Sequence, residues 1–182
     1  MGSGAGIGTP IGGVGTDIRL RELNLSDGRD VFDMLHEIPP EENGFMNSAH
    51  ELSFEQFPGF LRKERDSSEG INLDKSRVPQ TIYWLTADGK PVGFGKLRHY
   101  LNDSLRRYGG HIGYAIRPSE RGKGYGNILL KELLKAAKCR GISEVLLTVA
   151  EHNTPSRRVI EANGGVLAAL SDGECNYWVR LV

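Results

Sequence analysis

The sequence predicts an α/β chain of the α+β mixed-sheet kind, a central sheet with helices on both faces. Three observations carry this. From His111 to Ala150 a strand, a glycine-studded turn, an amphipathic helix and a second strand follow one another, the pattern of a crossover unit. Two hairpin signals flank it, residues 81–87 with 91–98 and residues 166–170 with 177–182, each with an Asp-Gly in the turn. Two amphipathic helical patterns precede the first hairpin.

In chain order, residues 1–16 (MGSGAGIGTPIGGVGT) are dominated by glycine and are expected to be a flexible segment, with residues 17–182 as one domain. Residues 18–23 alternate as a first strand. Asp27 is expected to cap a helix running to about His36, with Val31, Phe32 and Leu35 inward. The stretch IPPEENGF, from Ile38 to Phe45, is expected to be neither regular helix nor strand: a solvated loop, or an acceptor loop whose carboxylates attract an amine. Ser53 and Gln56 read as a capping box for a second helix to about Arg65, which Pro58 should kink or shorten. Residues 66–80 are charged and read as a mobile loop, and residues 101–110 as a connection that is either a plain loop or a lining of the acceptor site.

Within the crossover, Ile112 to Ile116 reads as a buried strand that Pro118 ends. Tyr125, Leu129, Leu133 and Ala137 form one helical row, with Leu130 and Leu134 beside it, and Gly141 is the expected C-cap. Residues 145–150 are the next strand, Pro155 lies near the start of a short helix, and Gly164-Gly165 ends that helix.

Between strand and helix, Arg121-Gly122-Lys123-Gly124-Tyr125-Gly126 places three glycines in five residues. Without Cβ atoms a ligand can approach the backbone, and the first N–H groups of a helix are free. With the positive end of the helix dipole, Arg121 and Lys123, this is an anion site. A tight turn alone explains one glycine, not three. A Walker loop would follow Gly-Lys with Ser or Thr, whereas Gly124 follows here, and the glycine spacing does not fit a dinucleotide fingerprint.

Arg121, Gly124 and Gly126, placed between a strand and a helix, resemble the signature of the GNAT superfamily of acyl-CoA-dependent N-acyltransferases. The run from Asn153 through Ser156 to Gly164-Gly165 resembles that family's Asn-x-x-Ser helix. The resemblance implies a GNAT-like fold and an enzyme that moves an acetyl group from acetyl-CoA to a primary amine by direct transfer in a ternary complex. It implies that the amides from Gly122 to Gly126, with Arg121, Lys123 and Tyr125, hold the coenzyme A pyrophosphate. The pantetheine arm would lie along Ala115, Ile116 and Arg117, flanked by Asn153 and Ser156, with Arg157 either solvated or reaching a phosphate. Many members carry a proton-donating Tyr four residues beyond the matched Ser; Ile160 stands there, so Tyr114 and Tyr177 are the candidate acids. His111 is the candidate base on location and ordinary pKa, ahead of His99, Glu42 and Glu151. The acceptor is expected to be a small-molecule or peptide amine, and homodimers are common in the family. The missing Tyr also admits a non-catalytic acyl-CoA-binding module.

Composition agrees. The 182 residues carry 23 basic and 23 acidic side chains, which disfavours a nucleic-acid partner. No apolar run approaches a membrane span, and the N-terminus lacks a signal pattern. Two cysteines without CxxC spacing and five scattered histidines predict no metal site and a cytoplasmic setting.

Overall fold

The structure, a computed structural model, describes residues 15–182; the glycine-rich segment expected over residues 1–16 lies almost wholly outside the described residues. The described chain forms nine strands and five helices in the order β1 (Ile18–Glu22), α1 (Arg29–Glu37), β2 (Glu41–Glu42), β3 (Phe45–Met46), α2 (Phe57–Ser68), β4 (Gln80–Ala87), β5 (Lys90–Arg98), α3 (Asp103–Arg107), β6 (Ile112–Ile116), α4 (Tyr125–Cys139), β7 (Glu144–Ala150), α5 (Thr154–Ala162), β8 (Val166–Ser171) and β9 (Glu174–Arg180). A single 3₁₀ turn, Pro118–Glu120, precedes α4.

Strands pair as β1-β4-β5-β6 and as β7-β9-β8, all antiparallel. Every residue of β4 is buried, as its continuous apolar run requires of a strand covered on both faces. On one face, α1 and α2 pack Val31, Phe32, Leu35, Phe57 and Leu61 onto Ile82, Trp84 and Phe94. On the other, α4 packs Leu129, Leu130 and Leu133 onto Leu85 and Leu97. Helix α4 sits close because β5 has no side chain at Gly93 or Gly95. A Cβ at Gly93 would lie 2.9 Å from Leu129 Cδ2, and one at Gly95 2.8 Å from Leu133 Cδ1.

The two sheets meet where β6 begins. His111 donates its N–H to Leu146 O at 2.8 Å, and Leu146 returns its N–H to His111 Nδ1 at 3.0 Å. Gly110 (φ 57°) is required here, since a Cβ would stand 2.3 Å from the Leu146 carbonyl oxygen. Beyond this junction β6 and β7 share no ladder, and a cleft lies between them.

Four local expectations are corrected. Asp27 does not cap α1; its carboxylate accepts from Trp84 Nε1 at 2.7 Å and pairs with Arg21, and Gly28 is the N-cap without a side-chain bond. Helix α2 starts at Phe57 and runs through Ser68, with Pro58 in its first turn, where no N–H is missed. Gln56 does reach back to the Ser53 N–H at 2.9 Å, so half of the expected box forms in the preceding turn. The stretch after Ile38 contains the β2–β3 hairpin, closed by Asn43 and Gly44 at φ 50° and 81°. Asn-Gly is the strongest short hairpin signal, and it outweighed the neighbouring prolines. In the 101–110 connection, Asn102 caps the short helix α3 through the Leu105 N–H at 2.9 Å.

Candidate functional site

The cleft between β6 and β7 holds about 740 Å³ and runs from the glycine turn before α4 to the β2–β3 hairpin. Its floor follows from strand pairing. Arg98 donates to His111 O and Arg117 to Val92 O, so alternate residues of β6 bond to β5. The N–H and C=O groups of the residues between them, Tyr114 and Ile116, therefore face away from β5, toward the cleft. The backbone expected from Ala115 to Arg117 thus narrows to Tyr114 and Ile116, while Ala115 borders the cleft with the rest of β6.

At one end, α4 begins at Tyr125 after Gly124 in the left-handed region (φ 83°), with no side-chain cap. Its first amides are therefore available donors. A Cβ added at Gly122 or Gly124 would meet nothing within 4 Å, so no neighbouring group crowds the turn there. Gly126 lies against Val159 and Ile116. Arg121 borders the cleft, with Nε on Ile116 O at 3.0 Å and both terminal nitrogens on Glu42, at 3.0 and 2.5 Å. Lys123 is not brought there: it pairs with Glu120 at 2.7 Å, beside Lys90, and the two lysines hold the Glu120 carboxyl down at about 2. Arg117 is likewise turned away, locked onto Glu37 at 2.7 Å and onto Pro91 O at 3.0 Å.

Also bordering the cleft, Tyr114 OH lies 2.9 Å from Ser156 Oγ. Asn153 caps α5 by accepting the Ser156 N–H, which sets that hydroxyl opposite β6. Burial pushes the Tyr114 phenol up to about 12, against a smaller lowering by the Ser156 bond. Ile160 is buried and borders the same wall.

Two further expectations fail on geometry. Tyr177 is fully buried outside the cleft, donating to Glu161 at 2.7 Å and accepting from Arg157 Nε at 3.0 Å. That bond, with one to Glu151 O, also holds Arg157 away from the cleft. His111 is buried at the sheet junction, where its Nδ1 is occupied by the Leu146 N–H. Burial, then the positive charges of Arg106 and Arg98, lower it to about 4, which removes it as a base at neutral pH. Of the alternatives, His99 bonds Thr81 at 2.8 Å and does not border the cleft.

The His111 shift has a pH signature. Unfolded, a histidine titrates near 6.5; folded, His111 does so at about 4. Between these values the unfolded chain binds the extra proton, so this contribution is complete above about pH 6.5 and lost as pH falls toward 4. His111→Asn, whose Oδ1 can accept the Leu146 N–H, should flatten the pH dependence of the urea midpoint across that window. An unchanged slope would assign the acid sensitivity to another group.

The stretch to Phe45 was legible in the sequence as a candidate acceptor loop, but the two cations beside it were not. Lys96 and Arg98, on one face of β5, border the cleft with Phe45, Met46 and Tyr108. The available signal was two cations alternating with Leu97 in a strand whose other residues are almost all buried. Among the described residues, no group of three or more His, Cys, Asp or Glu side chains is placed to hold a metal ion, and no helix is long and apolar enough to cross a membrane.

Comparison with curated proteins found no match. Solved structures match across most of the chain. RimJ of Mycobacterium smegmatis, in complex with CoA-disulfide, is 19% identical with a TM-score of 0.67, over 90% of this chain and 81% of that one. RimL, a ribosomal L7/L12 alpha-N-protein acetyltransferase in complex with coenzyme A, is 16% identical at 0.65, over 90% and 94%. The yncA protein of Salmonella typhimurium, solved with its cofactor acetyl-CoA, is 14% identical at 0.61, over 91% and 94%. At these identities the likeness is one of fold. The family model for the acetyltransferase (GNAT) family matches residues 46–164, well over half the chain and including both the glycine turn and the Asn153–Ser156 element. The chain belongs to the GNAT acetyltransferase family.

Proposed function

We propose that residues 17–182 act as one acyltransferase domain that moves an acetyl group from acetyl-CoA to a primary amine, directly and without an acyl-enzyme. The observation that carries this is the alignment, along one cleft, of an uncapped helix start, an unpaired strand edge and a buried phenol. The open backbone at Gly122 and Gly124 fits a pyrophosphate, and three of the solved structures of similar fold contain coenzyme A, its disulfide or acetyl-CoA. Acetyl-CoA supplies an acetyl group activated as a thioester.

The amides from Gly122 to Gly126 and the Arg121 guanidinium hold the pyrophosphate, Arg121 exchanging Glu42 for phosphate oxygens. The main-chain groups of Tyr114 and Ile116 hold the amide-bearing arm in extended form, as a strand would be held. The Tyr114 hydroxyl, protonated throughout the neutral range, donates to the departing sulfur, and Ser156 orients it. The lining supports direct transfer: neither Cys139 nor Cys175 borders the cleft, and Ser156 bonds Tyr114, not a base. Two free cysteines suit a reducing cytoplasm.

Thermal unfolding with acetyl-CoA, CoA, ATP and NAD, each alone, tests the donor half. A ligand at about 100 times its Kd adds about 2.7 kcal/mol, a rise of roughly 5–10 °C for a chain of this size. Acetyl-CoA and CoA should give it, and thiol release should follow on adding a panel of amines. A shift with ATP or NAD but not CoA would overturn the reading; stabilisation without turnover on any amine would leave only a binding module.

A further inference from the structure

The acceptor end of the cleft is unusual in its charge. Lys96 lies beneath two aromatic rings, 4.8 Å from the Phe45 centroid and 5.2 Å from that of Phe94, and donates to Met46 O. Arg98 spends one terminal nitrogen on the carbonyls of Gly109 and Gly110, at 3.0 and 3.2 Å. Its Nε and other terminal nitrogen have no partner among the described residues. Neither cation has an ion-pair partner among the described residues. Neither nearby acid bonds to them: Glu42 is bound by Arg121, and Glu64 accepts from Gln80 at 3.1 Å, its charge reaching Lys96 only through space. Arg77 adds a third positive charge to the field acting on both.

Half-buried cations without a direct ion-pair partner are costly, and burial lowers Lys96 to about 8 against a smaller raising by the Glu64 charge. Aromatic rings and carbonyl oxygens compensate in part, but they do not neutralise. What lowers the energy of such a pair is an anion seated in the cleft they border. The same field repels a second ammonium, so a polyamine is the wrong guest.

We propose that the acceptor is a small amine carrying its own anionic group, a carboxylate or a phosphonate, which is seated on Lys96 and Arg98. This rests on the acetyl-transfer reading above and adds the substrate class. The glycine turn, Tyr114 and the cation pair all border one cleft. A donor anchored at the first and an acceptor anchored at the last therefore share that cleft.

The test is coenzyme A thiol release from acetyl-CoA with amines in matched pairs: leucine against isoamylamine, 3-aminopropylphosphonate against propylamine, with spermidine as the polycation. The anionic member should have kcat/KM about tenfold higher or more, the usual worth of a hydrogen bond to a charged group. The carboxylate and phosphonate arms tell which anion is preferred. Lys96→Met should erase the preference within a pair, while stabilisation by acetyl-CoA shows that the variant is folded. Equal rates within pairs, a preference for the uncharged member or spermidine, or acetyl-CoA stabilisation with no turnover on any anionic amine would overturn the proposal and leave donor binding standing. No stabilisation by acetyl-CoA would bring down the reading beneath it instead.

Discussion

Gly124→Glu should weaken coenzyme A binding by about a hundredfold or more, read as loss of the CoA-dependent rise in Tm. The substitution introduces a carboxylate at the uncapped start of α4, where the helix dipole and free amides favour an anion. The new group satisfies those donors itself and repels a pyrophosphate. Space is not the obstacle, since a Cβ there meets nothing within 4 Å. Backbone strain is a separate effect: φ is 83°, and a non-glycine residue in the left-handed region costs about 1–2 kcal/mol. Gly124→Ala carries that strain without the charge, so it should lower Tm by a few degrees and keep most of the CoA response. If the two variants bind CoA alike, the glycine turn is not the phosphate site.

Tyr114→Phe should lower kcat about a hundredfold with little change in stabilisation by acetyl-CoA, the loss expected for removing a positioned proton donor. The phenyl ring keeps its packing, and only the hydroxyl beside Ser156 is lost. Ser156→Ala separates donation from orientation, because it breaks the 2.9 Å bond and leaves the phenol in place. Its kcat should fall by much less. Since the phenol titrates at about 12, no break in the rate near neutral pH belongs to it. Full activity in Tyr114→Phe would hand proton donation to water.

Local physics made some of this legible in the sequence. The crossover, both Asp-Gly hairpins and the short helix opened by Pro155 rest on chemistry within a few residues of each other, and all appear within a few residues of the expected bounds. Chemistry set by distant partners was not legible. Asp27 has the look of a helix cap, but Trp84, far along the chain, claims its carboxylate. His111 has a base's ordinary pKa until the sheet junction buries it beside Arg98 and Arg106. Lys123 and Arg157 read as candidate phosphate ligands from their positions, yet Glu120 and Tyr177 hold them. Charge near a motif is visible in a sequence; whether another side chain has already claimed that charge is not. Lys96 and Arg98 are the converse, two cations in a buried strand whose meaning appears only when the cleft is seen beside them.

The absent side chains at Gly93 and Gly95 set the height at which α4 rests on the sheet. A methyl at either position would have to displace leucine atoms less than 3 Å away, and a close-packed interior yields by lifting the helix. Because α4 is a rigid rod that starts at the glycine turn, that lift is transmitted to the turn itself, two residues before Gly126. The two glycines therefore act as a levelling shim: they fix the altitude of the donor site above β6 without touching anything that binds there. Substitutions at Gly93 or Gly95 should thus behave like active-site substitutions in an activity screen, although neither glycine borders the cleft.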